Sequence, residues 1–442
     1  MQFIPVVHKV DPSSLYFAIM GAIIRLAGAG LFSLIEAFKQ NSFGLDTLYA
    51  LQKYQKEFRQ RLVRPCNGKL YIDSGGYSFI KGQIHPNDIV KLINCYLHYL
   101  IEEMDNYYKI FSLDLPKSLK YNSYKRENIL YYNRLSLLET FNVIKQIPQL
   151  AEKFIFIWQF RTVELYQIWC QLYDELCTLG YQKYIKNVAI GGLVGIKGMS
   201  GINFSPFIAL AYRCFKDYVV SGMFDIPFRL HLLGVYTLSD RFIMAYMERV
   251  FEKYLMRESI TSGVVFTYDS INYERQANYF SRELPSVSFE NGQLHSYSAA
   301  CDVPDHILRR VYHTDTLYLH VVDEINRIKK GERLASAASF SPLSLYNHLS
   351  IDKFIEDIIE RYDLVDIIFK NTNIDEFLEN IEIALDRILT EETHIFGPQF
   401  KSGILDNLIK LYRLHRWWSV EGSEYKSLNS IIEEFIQIIW SK

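Results

Sequence analysis

Several β-prone runs of this chain end on side chains suited to acid–base work and to recognition of a flat polar ring. Asp73 closes Lys69-Leu70-Tyr71-Ile72, Asp114 closes Phe111-Ser112-Leu113, and Asp269 closes Phe266-Thr267-Tyr268. Gln159 and the Gly191-Gly192 pair end two further runs. Two carboxylates can divide labour as nucleophile and general acid if their environments push their pKa values apart. A third acid, beside an amide side chain and backbone bared by glycine, can read the donor and acceptor edge of a planar heterocycle. Taken singly, each has a plainer use. Asp73 and Asp269, each followed by Ser, suit a helix N-cap. Gln159 can satisfy a loop amide, and the glycine pair permits a tight turn. Their joint position at successive strand ends is what argues for one site.

The elements that would hold these residues recur in a regular order. Phe3 to Val10 reads as a short strand, and six further strand-like runs, Leu70 to Asp73, Tyr107 to Asp114, Phe154 to Gln159, Asn187 to Gly192, Arg229 to Gly234 and Gly263 to Asp269, each end in a polar or glycine-rich corner. Helical segments lie between them: Pro86 to Met104, Ile129 to Gln146, Val163 to Leu179, Phe207 to Lys216 and Arg241 to Tyr254. Strand, corner and helix in alternation predict βα units and a parallel sheet. No glycine-rich dinucleotide fingerprint follows the first strand, so an α/β (β/α)8 TIM-like barrel is expected over an open sheet, with one strand unplaced. Catalytic groups of such barrels sit where the strands end.

The apolar stretch Leu15 to Phe38 reads as a buried helical region rather than a membrane span, because Arg25, Gly21, Gly28 and Gly30 interrupt it. Beyond residue 335 the texture changes. Phe340 to Ser350 is rich in serine and turn formers, and Ile351 to Lys442 repeats with helical spacing. The expected division is a barrel over residues 1–335 and a helical C-terminal domain over 340–442.

Composition narrows the class. A 442-residue chain with 49% hydrophobic and 15% aromatic residues can build a large core and is no disordered polymer. A formal net charge of -2 argues against a uniformly basic nucleic-acid binder, so any such role must rest on local patches. The six cysteines are scattered without metal or redox spacing and no secretory leader is seen, which fits a reducing cytoplasm.

The residues resemble a family. Asp73-Ser74-Gly75-Gly76-Tyr77 is similar to the DSGG(F/Y) motif of the tRNA-guanine transglycosylases, and Ala189-Ile190-Gly191-Gly192-Leu193 resembles their glycine turn. Leu230-His231-Leu232-Leu233-Gly234-Val235 and Phe266-Thr267-Tyr268-Asp269-Ser270 resemble two later strands, in the same order. The resemblance implies Asp269 as the nucleophile that attacks the anomeric carbon and Asp73 as the general acid/base. It implies Asp114, Gln159, Gly191 and Gly192 as the base-binding groups. Tyr77 would stack on the base, and Leu193 and Leu233 would line the pocket. Arg275 would hold nucleotides flanking the target. No ATP or redox cofactor is implied for the exchange itself.

Three departures refine that expectation. Where the family carries a CxCxxC zinc motif and a distant histidine, this chain reads Ser296-Tyr297-Ser298-Ala299-Ala300-Cys301, with one thiol retained and His295, His306 and His313 nearby. Serine hydroxyls are poor zinc ligands, so no metal is expected. After Gly192 the chain reads Leu193-Val194-Gly195-Ile196-Lys197 without the acid of members that use an aminomethyl base. A neutral free base such as 7-cyano-7-deazaguanine is therefore expected. The C-terminal region resembles no tRNA-binding module, and the cluster Arg309, Arg310, Arg327, Lys329, Lys330 and Arg333 could track phosphates. Together these resemble the divergent DpdA-type branch that inserts 7-deazaguanine bases into DNA. DNA is then the polynucleotide partner, and a companion ATPase that opens it is plausible. The alternatives are a tRNA transglycosylase lacking zinc and a non-catalytic nucleic-acid-binding subunit.

Overall fold

The computed structural model describes residues 1–7, 15–34, 59–80, 82, 84–116, 120, 121, 123–191, 205–235, 237–270, 286–332, 338–392, 398–419 and 428–440. Eight parallel strands close into a barrel in sequence order: β1 (Gln2–Val7), β2 (Ala29–Ser33), β3 (Lys69–Asp73), β4 (Lys109–Phe111), β5 (Phe154–Gln159), β6 (Asn187–Gly191), β7 (Phe228–Leu233) and β8 (Val264–Ser270). The last strand returns to the first, with Ile4 opposite Asp269. The expected (β/α)8 barrel is the fold.

Closure comes from strands buried on both faces. β5 is buried throughout: Ile155, Ile157 and Gln159 share one face, while Phe156 and Trp158 point to the surrounding helices. Trp158 meets the Tyr173 ring at 5.0 Å, and the Arg213 guanidinium lies 4.8 Å from its centroid. The inward faces form their own cluster of Ile4, Ala29, Leu31, Tyr71, Phe111, Ile155, Ile157 and Ala189. The barrel is filled rather than hollow.

Among the described residues the helices that follow the strands include α1 (Leu15–Ala27), α2 (Gly76–Ile80), α3 (Ile89–Glu102), α4 (Arg126–Gln146), α5 (Val163–Thr178), α6 (Ser205–Ser221) and α7 (Leu238–Arg257). In α5 the apolar positions Leu165, Ile168, Trp169, Leu172, Tyr173 and Leu176 make one stripe, which the strands bury. Thr162 caps its start by accepting the Leu165 amide at 3.1 Å. Gly180 ends it at φ +76°, where a side chain would strain the turn.

Two expectations are corrected here. Leu15 to Phe38 is not one helical region: α1 stops at Ala27, Gly28 turns at φ +67°, and Ala29–Ser33 is the unplaced second strand. Residues 35–38 lie outside the described residues. The serine-rich stretch Phe340 to Ser350 is not a turn region either. It starts the long helix α10 (Ser341–Arg361), with Pro342 in the first turn and Ser344 and Ser350 buried. Between β8 and α10 come the hairpin β9 (Ser286–Glu290) and β10 (Gln293–Tyr297), then α8 (Asp305–Val311) and α9 (Asp315–Lys329).

α10 packs between α1 and α7 and so occupies the last gap in the ring of helices. Behind β8, Tyr268 faces outward and hydrogen-bonds His348 and Asp352 of α10. Arg241 of α7 donates to the same Asp352 at 2.7 Å and to the His348 carbonyl at 2.6 Å. The remaining helices, α11 (Leu364–Lys370), α12 (Ile374–Glu391), α13 (Pro398–Ser419) and α14 (Leu428–Trp440), lie outside this ring. α13 rests on α6 and α7, and α14 on α5 and α6. Among the described residues no helix is long and apolar enough to cross a membrane.

Candidate functional site

The inward faces bring the carboxylates to one end. In β3 the inward residues are Lys69, Tyr71 and Asp73; in β8 they are Val265, Thr267 and Asp269; in β5, Gln159 follows Ile157. Asp73, Gln159, Gly191, Leu233 and Asp269 therefore meet at the C-terminal mouth. Asp114 joins them from the segment after β4, which is shorter than the sequence run Tyr107 to Asp114.

Asp73 is half-buried at the end of its strand, opposite Ser33. Burial, and then the charges of Asp114 and Asp269, raise its pKa from 3.8 to about 7, against the lowering effect of hydrogen bonds from the Gly75 amide and the Ser33 hydroxyl. At neutral pH this carboxyl can both give and take a proton.

Asp114 is buried, and its carboxylate accepts from the Ser74 hydroxyl at 2.7 Å and from the Gln159 amide. Burial pushes its pKa up, opposed by those two donors. Glycine seats this pair. A Cβ on Gly76 would lie 2.7 Å from both Asp114 oxygens, and one on Gly191 would lie 2.6 Å from the Gln159 nitrogen. The close approach that these glycines allow is thus made first by the protein's own acid and amide.

Asp269 is 14% exposed, open enough to meet a ligand from the mouth. Its Oδ1 accepts from the Gly234 amide at 3.0 Å and lies 3.3 Å from His231 Nε2. Gly234 turns at φ +86°, which aims its amide back at the neighbouring strand. His231 is buried; its Nδ1 lies 2.8 Å from Thr267 Oγ1, and the Phe111 ring stands edge-on at 4.7 Å.

The structure thus brings together Asp73, Asp114, Gln159, Gly191 and Asp269, with Leu233 packed against the inward cluster beside them. Gly192, Leu193 and Arg275 lie outside the described residues. Tyr77 is the second residue of α2, and its side chain is outside them too. Sequence reasoning passed over Ser33, Ser74, His231 and Thr267. The alternation Leu230-His231-Leu232-Leu233 carried a signal, since it sets His231 on the face of Leu233 and, by pairing, opposite Thr267.

A zinc held around Cys301 does not fit the residues there. Ser298 is bonded to Asp302, Ser288 pairs with the Tyr297 hydroxyl at 3.1 Å, and His306 lies 3.3 Å from Glu290. Among the described residues no group of three or more His, Cys, Asp or Glu could hold a metal ion. The basic cluster is partly neutralised: Arg309 pairs with Asp305, Arg310 with Glu290 and Arg327 with Glu332. Arg333 lies outside the described residues.

In comparison with known proteins, no family model matches the chain, and no curated protein matches it significantly.

Proposed function

We propose that this chain is a guanine transglycosylase, a pentosyltransferase that exchanges guanine in DNA for a free 7-deazaguanine base. The observation that carries the reading is the pair at the barrel mouth: Asp73, whose carboxyl titrates near 7, within the field of Asp269, whose carboxylate is held by donors on one oxygen. A nitrogen glycoside breaks through an oxocarbenium-like state, which a neighbouring carboxylate stabilises and traps.

In the first half, an oxygen of Asp269 forms a bond to C1′ as the bond from C1′ to guanine breaks. The bonding pair leaves with guanine, and protonated Asp73 supplies the proton. In the second half, Asp73 takes a proton from the incoming base, whose nitrogen attacks C1′ and returns the electron pair to Asp269. The backbone stays intact throughout. Because Asp73 must be protonated for one half and ionised for the other, exchange should peak near pH 7. Asp114 and Gln159 would read the base edge, with Ser74 holding Asp114. The segment after Gly192 carries no acid, which favours a neutral base such as 7-cyano-7-deazaguanine. A base within a duplex must first leave the stack, so a companion ATPase that opens DNA fits this role.

The test is exchange of labelled guanine into DNA and into tRNA by the wild-type chain and by Asp269→Ala. Exchange into DNA that disappears in the variant supports the reading. Exchange that persists overturns the mechanism. Exchange into tRNA alone moves the substrate to tRNA, and binding without exchange to either marks a non-catalytic subunit.

A further inference from the structure

The proposed reaction leaves one buried polar pair unused: His231 and Thr267, opposite each other on the inward faces of β7 and β8. Both are buried, and both lie next to Asp269. Nε2 of His231 stands 3.3 Å from Asp269 Oδ1. Two lone pairs would repel at that position, so beside a carboxylate Nε2 carries the proton. In the neutral ring Nδ1 is then an acceptor, and the Thr267 hydroxyl at 2.8 Å donates to it. Thr267 thereby fixes the tautomer, and the edge-on Phe111 ring at 4.7 Å fixes the ring plane.

The Gly234 amide donates to the same oxygen at 3.0 Å. Oδ1 is loaded by two donors, while among the described residues Oδ2 accepts none. We infer that His231 is a positioning residue which, together with the Gly234 amide, holds Oδ1 of Asp269 and leaves Oδ2 as the attacking oxygen. This rests on the reading of Asp269 as nucleophile. When Oδ2 bonds to C1′, Oδ1 becomes the ester carbonyl and its charge is spent. When the incoming base displaces the ester, the pair returns to the carboxylate and charge reappears on Oδ1. Donors there favour the carboxylate, so they aid its departure more than its attack. Removing His231 should therefore slow the return half more than the first half, and the covalent adduct should accumulate.

The experiment compares His231→Leu, His231→Gln and Asp269→Ala with the wild-type chain, reading both guanine exchange and the fraction of protein covalently joined to the polynucleotide. Loss of one hydrogen bond to a charged group predicts exchange slowed about ten- to hundredfold in His231→Leu, with a larger adduct fraction. His231→Gln, whose amide N–H can reach the Nε2 position, should restore most of the rate. Equal exchange and adduct in His231→Leu and wild type would overturn the inference, as would a Gln variant no better than Leu. If Asp269→Ala still exchanges, it is the underlying reading that fails. Should the variants not fold, nitrogen NMR of the wild-type imidazole decides: a proton on Nε2 supports the assignment, and a proton on Nδ1 alone overturns it.

Discussion

Asp73→Asn separates the demands of catalysis from those of folding. The Asp73 carboxyl ordinarily titrates near 3.8 and here holds its proton to about 7. Between those values the folded chain binds a proton that the unfolded chain has released, so wild-type stability falls as pH rises from about 4 to about 7 and is flat above. The gap corresponds to roughly 4 kcal/mol at 1.36 kcal/mol per decade, an upper bound because the group is half-buried. Asparagine keeps an oxygen for Ser33 and the Gly75 amide but carries no charge beside Asp114 and Asp269. The variant should match wild type near pH 4 and exceed it by about 2–4 kcal/mol at pH 8, by the same arithmetic. Urea unfolding at pH 4, 6 and 8 measures this, with base exchange lost at every pH. A variant no more stable than wild type at pH 8 would refute the claim that the mouth stores like charge at a cost to the fold.

Other expectations follow from single contacts. Gly76→Ala would drive a methyl group against the Asp114 carboxylate and Gly191→Ala against the Gln159 amide; each should weaken guanine binding by calorimetry and cost about 1–3 kcal/mol of stability. Arg241→Met leaves Asp352 buried without its cation; a loss of about 3–5 kcal/mol is expected in denaturant unfolding. Lys109 is buried and repelled by Arg229, Lys153 and Lys69, with Glu152 the nearby acid, and its pKa falls from 10.5 to about 7. Wild-type stability should therefore rise as pH goes from about 7 to 10.5, and Lys109→Met should remove that slope in urea midpoints taken at pH 7 and 9.5.

Much of the barrel was legible because its strands alternate or run apolar and its helices carry clear stripes. The failures have physical causes. Ala29–Ser33 is joined to α1 by one residue, Gly28, so helix and strand merge into a single apolar stretch with only the glycine to mark the reversal. α10 hides because its serines face inward, where Ser344 and Ser350 are buried against neighbours instead of forming turns. Asp73, Gln159 and Asp269 could be named from their strand ends, and Asp114 from the run that continues past β4, since the end of a barrel strand is itself a position in space. His231 could not be weighed that way: its importance depends on the register that sets it against Thr267 and under the Asp269 oxygen.

Parity along the strands also explains how three acids can share one mouth. The same inward faces that end in Ser33, Asp73, Gln159, Leu233 and Asp269 begin at the other end with Lys69, Lys109, Asn187 and Arg229. Between them lie apolar side chains and the His231–Thr267 pair. A narrow crevice lined by Tyr71, Lys109, Asn187, Arg229, His231 and Thr267 runs between the two ends. Basic side chains sit at the floor and carboxylates at the mouth, separated by a mainly apolar layer in which His231 reaches Asp269. The floor cannot neutralise the mouth through direct contact, so repulsion among Asp73, Asp114 and Asp269 must be relieved locally. It is relieved by the proton on Asp73, by the Ser74 and Gln159 donors on Asp114, and by the Gly234 and His231 donors on Asp269. The proton on Asp73, whose carboxyl titrates at about 7, is a device that can leave and return near neutral pH, and the acid–base role proposed for Asp73 rests on that.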